Sequence, residues 1–297
     1  MPVELWADSQ NGCTRVALVD SGHLIGLEVD RLDCQPLHGA RYIAKVMRVT
    51  PNFGGAELDL GEGQTAFLNT KRQPLQAGDP VAVEWIAPPI GDKLALVRRL
   101  SDVAAEGAPR RLQAGPDALA RAMAYKPVTA QVSSDSLRLK LAPYGLKAEV
   151  QSGKPPLFEM IDLESQIETL TAPRVKFPGG YLVIEHTEAA CIIDVNGSGS
   201  PAEINRAALQ ETARQIRLRN LGGIILIDLV GDRRNIGKAI LDQFRTATQD
   251  DSCPVNIYGI TQLGLIECTR ERRGWELKRL LLPPEGLGIA KTEQDSQ

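Results

Sequence analysis

Two apolar runs in this chain end in carboxylates: Ile192-Ile193-Asp194-Val195-Asn196 and Ile224-Ile225-Leu226-Ile227-Asp228. Two aspartates and an asparagine brought to one sheet edge offer hard oxygen donors. Mg²⁺ takes such a set, binding one or two carboxylates and completing its shell with water and phosphate oxygens. The chemistry that follows is metal-assisted phosphoryl transfer, in which the ion polarises a phosphate and lowers the pKa of a bound water. One such aspartate alone carries little weight, because Asp and Asn commonly follow strands and hydrogen-bond the turning backbone.

The residues between the two runs make the pair informative. Residues 203–219 read as one helix. Two strands joined by a helical crossover lie parallel, which brings both carboxylates to the same edge of the sheet. From about residue 168 to about residue 285 strands and helices alternate: strands at 181–185 and 191–195, the helix at 203–219, a strand at 223–228, a helix at 235–249 and a strand at 255–260. The second helix has Asn235 as its expected cap. It places Ile236, Ile240, Leu241, Phe244 and Ala247 on one face.

Upstream, residues 14–20 and 24–29 predict a hairpin turning at Ser21-Gly22. Residues 37–100 hold five short alternating runs (41–49, 55–60, 65–68, 81–86 and 94–97) separated by Gly and Pro turns. That pattern predicts a small OB-type barrel. Residues 101–125, rich in Ala, Arg and Gly, read as a linker that runs into a helix at 117–125, and residues 126–153 as a small strand-containing segment. The polar tail from 286 to 297 is expected to be disordered.

At 297 residues, with 43% hydrophobic and 24% charged residues, the composition is that of a soluble globular protein with room for two domains. No apolar run approaches the roughly 18 residues of a membrane span, so no membrane partner is expected. The opening Met-Pro-Val-Glu-Leu-Trp-Ala-Asp lacks the basic and apolar regions of a secretory signal. Five scattered cysteines without a CxxC pair read as reduced thiols in a cytoplasmic protein, with no zinc site. The net charge of −3 argues against broad phosphate-driven nucleic-acid binding but leaves room for a local basic groove. Basic residues cluster at Arg98-Arg99, Arg110-Arg111, Arg233-Arg234 and Arg270-Glu271-Arg272-Arg273.

Three longer stretches carry a resemblance: Thr187-Glu188-Ala189 with Ile193-Asp194-Val195-Asn196, the run from Ala213 through Arg219-Asn220-Leu221-Gly222-Gly223 to Asp228, and Gly264-Leu265-Ile266-Glu267-Cys268-Thr269-Arg270-Glu271-Arg272. In this order they resemble the RNase E/G family of bacterial endoribonucleases. The resemblance implies an α+β or α/β architecture: N-terminal strands (1–36) packing on the later part, an OB-type RNA-binding domain (37–100), a linker and reduced intervening segment (101–164) and a DNase I-like α/β catalytic domain (165–285). It implies Mg²⁺-dependent cleavage of single-stranded RNA in RNA processing or decay, with Mn²⁺ as an alternative ion. Asp194, Asn196 and Asp228 match the family's catalytic residues, with Asp194 and Asp228 holding the metal. Asn196, neutral and able to donate and accept, would fix a metal-bound water or the scissile phosphate. His186 is expected to be incidental.

The resemblance also points to RNA contacts. Phe67 falls at a base-stacking position, where it would either stack a base or fill the barrel core. Lys45 and Lys93 would meet phosphate or face solvent. Arg270 and Arg272 lie in the family's Thr-Arg-x-Arg pattern, where a planar fork suits phosphate, although an ion pair with Glu267 or Glu271 is the alternative. Of Arg214, Arg217 and Arg219, at least one is expected to be structural.

The chain departs from the family in several places. Only residues 101–164 separate the barrel from the catalytic part, without a match to the residues that hold a 5′-monophosphate, so the expected enzyme is independent of that group. Cys253-Pro254 lacks a partner cysteine, so no zinc-linked assembly is expected, while another homodimer stays open. Glu57 occupies the second stacking position and cannot stack well. Gly197-Ser198-Gly199-Ser200 lacks the usual basic residue, and the acidic position after Asp228 is shifted to Asp232. These departures keep a second expectation alive: a weak or inactive RNA-binding or regulatory paralogue on the same scaffold.

Overall fold

The computed structural model describes residues 2–32, 34, 37–70, 75–231 and 237–281. Asp232, the Arg233-Arg234 pair, the expected cap Asn235, Ile236 and the tail expected from 286 lie outside the described residues.

The chain begins with a three-stranded meander: β1 (Glu4–Gln10), β2 (Cys13–Asp20) and β3 (His23–Arg31). It then builds the barrel from β4 (Arg41–Thr50), β5 (Gly55–Gly61), β6 (Gln64–Asn69), β7 (Pro80–Ala87) and β8 (Ala95–Arg99), with β9 (Arg110–Gln113) added to β4. The five main strands run β5-β6-β8-β7-β4, and a β4–β5 pairing closes the ring. β6 and β8 are parallel and the other pairs antiparallel. This is the closed OB-type barrel that the alternation predicted, filled by residues including Tyr42, Leu58, Leu68, Val83 and Trp85.

The segment read as a linker does more than connect. Residues 114–153 form α1 (Ala118–Ala122), β10 (Thr129–Val132), α2 (Asp135–Leu141) and β11 (Ala148–Val150). β10 pairs parallel with β1, and β11 parallel with β10, giving one sheet of order β11-β10-β1-β2-β3. The N-terminal strands therefore complete a unit whose second half lies on the far side of the barrel in sequence. α1 is capped by Asp117, whose carboxylate accepts from the Ala120 amide at 2.8 Å. One sheet face packs Leu5, Val16 and Leu18 against Leu119, Leu137 and Leu141. The other packs Trp6, Leu24 and Val29 against Phe158, Leu163 and Leu218, which belong to the part that follows.

That part holds α3 (Leu163–Thr169), β12 (Arg174–Phe177), β13 (Gly180–His186), β14 (Ala190–Gly197), α4 (Pro201–Leu218), β15 (Gly223–Asp228), α5 (Lys238–Thr248), β16 (Val255–Ile260), β17 (Ile266–Arg270) and α6 (Leu277–Leu281). Its sheet runs β12-β13-β14-β15-β17-β16, and β14–β15 is the parallel pair that the crossover required. α4 begins at Pro201, two residues before the expected start, because proline is tolerated in a first turn whose amide has no intrahelical partner. Ile204, Ala208, Leu209 and Ile216 of α4 and Phe244 of α5 bury one sheet face over Ile193, Ile225 and Ile227. The alternate residues, Ile192, Asp194 and Ile224 among them, face outward.

Candidate active site

Asp194 and Asp228 are direct register partners in the parallel β14–β15 pair. Neighbouring strands lie about 4.8 Å apart and register partners project to the same side, so the two carboxylates stand next to each other on the outward face. Asp194 is exposed and Asp228 half-buried. Asn196 lies two residues beyond Asp194, on the same face by strand alternation, and its Nδ2 donates to Asp194 Oδ2 at 2.6 Å. All three expected catalytic side chains thus converge.

The donor set fits a hard divalent ion: two adjacent carboxylates and a carboxamide, all on a face open to water. Among the described residues no group of three or more His, Cys, Asp or Glu side chains converges as a fuller cage would need. All five cysteines are free thiols.

The long motifs turn out to hold the scaffold that brings these groups together. Thr187 ties the β13–β14 turn, its Oγ1 accepting from the amide of Ala190 and donating to the Ala190 carbonyl, both at 3.0 Å. Arg214 and Arg217 donate to the carbonyls of Leu24 and Ile25 at 3.1 Å each, fastening α4 to β3. Arg219 is buried; it donates to Gln215 Oε1 at 2.6 Å and to the Thr169 carbonyl at 3.3 Å. Burial lowers its pKa from the ordinary arginine range to about 10. All three arginines are therefore structural. Asn220 turns the chain at φ 52°, a left-handed conformation that Asn tolerates. Its Nδ2 donates to the carbonyls of Arg273 and Trp275.

Arg270 does not stand ready for phosphate. It is 3% exposed, and its fork donates to Asp251 at 2.9 and 3.0 Å, to Asn220 Oδ1 at 2.9 Å and to the Leu221 carbonyl at 3.1 Å. The ion-pair alternative describes it, but with Asp251 as partner and not Glu267 or Glu271. Glu271 pairs instead with Arg273. Arg272 is half-buried and packs against Gly222 and Gly223, where a Cβ would collide with its side chain.

On the barrel, Phe67 alternates with the core residues Ala66 and Leu68 and lies half-buried on the outer wall, so the core-filling alternative does not hold. Its ring covers Gly55, where any Cβ would overlap it. The row across the strands reads Arg48, Glu57, Phe67, Leu96. Glu57 is bound by Arg48. Lys45 is exposed on the same wall, opposite Asp59. Lys93 is exposed in the turn where its amide donates to the Ile90 carbonyl, and the neighbouring Gly91 faces Glu188 of the β13–β14 turn. His186 meets Glu276 at 3.5 Å and has no part in the carboxylate cluster.

One feature escaped the sequence reading. Arg174 and Tyr181 lie on the same outward face, with the guanidinium carbon 4.4 Å from the ring centroid. The alternation Arg174-Val175-Lys176-Phe177 carries the signal of a half-buried strand, but four residues are too few to stand out. Where the three units meet, a cavity of about 310 Å³ is lined by residues including Trp85, Tyr125 and Trp275; neither Asp194 nor Asp228 borders it.

Residues 124–273 match the model of the Ribonuclease E/G family. Ribonuclease E of Nostoc sp. (strain PCC 7120) is 36% identical over 149 residues, covering 46% of this chain and 22% of that protein. Ribonuclease G of Escherichia coli K12 is 33% identical over 161 residues, covering 49% of this chain and 33% of that protein. Ribonuclease G of Haemophilus influenzae is 36% identical over 152 residues, covering 46% and 30%. The match spans a third or less of these relatives' length. The matched region holds Asp194, Asn196, Asp228, Arg270 and Arg272, while the barrel with Lys45, Phe67 and Lys93 precedes it. With half of its length matched by the family model, this chain belongs to the Ribonuclease E/G family.

Proposed function

We propose that this protein is a Mg²⁺-dependent endoribonuclease that cuts single-stranded RNA, in RNA processing or decay, without requiring a 5′-monophosphate. The observation that carries the reading is the side-by-side placement of Asp194 and Asp228, with Asn196 bonded to Asp194. The six-stranded sheet with its α4–α5 cover is read as the DNase I-like catalytic domain.

In this reading Asp194 and Asp228 hold the ion, with Mn²⁺ able to substitute. When bound, the ion supplies charge neutralisation at the phosphate and a water of lowered pKa. Asn196 keeps the Asp194 carboxylate turned and presents a neutral donor and acceptor to solvent or phosphate. The open sheet face admits an extended strand of RNA. Phe67 on the barrel wall offers a stacking surface, and Lys45 and Lys93 offer charge to the backbone. A cytoplasmic location fits the free thiols, and no described helix is long and apolar enough to cross a membrane. A homodimer is compatible with this arrangement.

One observation favours a weaker or noncatalytic RNA-binding protein. Glu57, bound by Arg48, sits beside Phe67 where a second aromatic would strengthen capture. Cleavage of a fluorescent unstructured RNA by wild type and by Asp194→Asn/Asp228→Asn, with Mg²⁺ or EDTA, decides between them. Mg²⁺-dependent cleavage that disappears in the double variant supports the enzyme. RNA binding without any wild-type cleavage supports the alternative. Equal rates on 5′-monophosphate and 5′-hydroxyl substrates are expected; a large gain from the monophosphate would overturn that part.

A further inference from the structure

We infer that Arg174, held over the Tyr181 ring, is a substrate-positioning residue that binds an RNA phosphate next to the carboxylate pair. This rests on the reading of the outward sheet face as an RNA site. Register carries it. Arg174 is opposite Val183, Val183 opposite Asp194, and Asp194 opposite Asp228, so one row across four strands begins in a guanidinium and ends in two carboxylates. The adjacent row reads Lys176, Tyr181, Asn196. With strands about 4.8 Å apart, the Arg174 and Asp194 backbones are separated by about 10 Å. A nucleotide bound at one therefore leaves its neighbour within reach of the other.

Charge and exposure give the same answer. Arg174 and Lys176 are both exposed, while the alternate Val175 and Phe177 are buried under α4. Many arginines in this chain meet a carboxylate: Arg15, Arg48, Arg98, Arg121 and Arg270 among them. Arg174 makes no ion pair or hydrogen bond among the described residues; its contact is the Tyr181 ring. Held over the ring with no other partner among the described residues, the guanidinium keeps its N–H donors for phosphate oxygens. The two carboxylates repel a polyanion unless a cation is near, and Arg174 and Lys176 are exposed basic residues of that face. The occupant this arrangement fits is single-stranded RNA.

The test compares Arg174→Gln, Arg174→Lys, Tyr181→Phe and Tyr181→Leu, using an unstructured fluorescein-labelled oligoribonucleotide. Kd is measured by anisotropy across a salt series in the Asp194→Asn background, and kcat and KM in otherwise wild-type protein. Arg174→Gln is expected to raise Kd and KM by about tenfold, the worth of one charge-assisted hydrogen bond, with kcat little changed. The slope of log affinity against log salt should fall by about 0.7, the signature of one lost phosphate contact on a single strand, which a merely structural role would not produce. Arg174→Lys should restore the slope without all of the affinity. Tyr181→Phe should behave as wild type, and Tyr181→Leu should weaken binding by a few-fold through loss of the cation–π contact. If wild type cleaves and Arg174→Gln keeps its Kd, KM and salt slope, the inference is overturned and the enzyme reading stands. If wild type does not cleave but Arg174→Gln loses the slope, the RNA contact stands and the enzyme reading falls.

Discussion

Asn196 donates a 2.6 Å hydrogen bond to Asp194 from two positions further along β14. Strand alternation puts the two side chains on one face, and the bond fixes which carboxylate oxygen is engaged. Among the described residues the other oxygen has no protein partner, and Asp228 is its nearest register neighbour. Partners that orient a metal ligand typically account for 10–100-fold in metal affinity. Asn196→Ala should therefore shift the Mg²⁺ concentration for half-maximal cleavage upward by about 10–100-fold, with saturating Mg²⁺ recovering part of the rate. A Mg²⁺ titration of cleavage reads this directly, and an unchanged midpoint would remove Asn196 from the site.

Arg270 and Asp251 are each 3% exposed and share two hydrogen bonds. Removing one partner strands the other charge in a dry environment. Arg270→Met should therefore lower unfolding stability by about 3–5 kcal/mol. The double variant Arg270→Met/Asp251→Leu should regain much of that loss, because apolar replacement of a whole buried pair is often neutral. Urea denaturation of the three proteins gives the coupling. A loss of RNA affinity in Arg270→Met without a loss of stability would contradict the structural role given to Arg270 here.

The barrel and the β14–α4–β15 crossover were legible in the sequence because their signals are local. Alternation with Gly turns marks a small barrel, and two apolar runs flanking a helix fix a parallel pair. The completed first sheet was not legible. Glu4 pairs with Thr129 across the whole barrel, and β10 and β11 have four and three residues, too short for a pattern. Arginine roles were hidden for a similar reason. Arg270 looks like a phosphate ligand by its place in the family's Thr-Arg-x-Arg pattern, and only the fold brings Asp251 and Asn220 around it. Arg174 gave the opposite error, since its value comes from a row of four strands that no linear motif displays.

Phe67 and Gly55 are one packing unit, since the ring lies where a Gly55 side chain would be. Phe67→Ala removes a surface ring, so stability should change little while affinity for unstructured RNA drops by about 1–3 kcal/mol, the worth of one stacked base. Gly55→Ala should cost about 1–3 kcal/mol of stability by overpacking against the ring and the Leu68 carbonyl, and should weaken RNA binding by displacing the ring. Because both changes act through one contact, their effects on binding should not add. Anisotropy titrations of the two single variants and the double variant test this, and strict additivity would show that the ring is not the shared element.

Cys191 and Cys268 flank Ile225 in one row of the buried sheet face, and burial pushes both thiols up from 9.0 to about 12. Both are therefore protonated in the folded protein at mildly alkaline pH, while the unfolded chain begins to ionise them near 9. The sign follows: their contribution to stability is complete below 9 and is lost as pH rises from there through about 12. Thiolate is the alkylating form. At about pH 8.5 iodoacetamide should thus spare Cys191 and Cys268 in the native protein and label them on global unfolding, whereas the partly exposed Cys13 and Cys34 should label earlier. Mass mapping after timed labelling in increasing urea reads the order. Early modification of Cys191 or Cys268 without loss of secondary structure would mean that the sheet beneath Asp194 and Asp228 opens locally, and that the carboxylate pair is held less rigidly than their shared register implies.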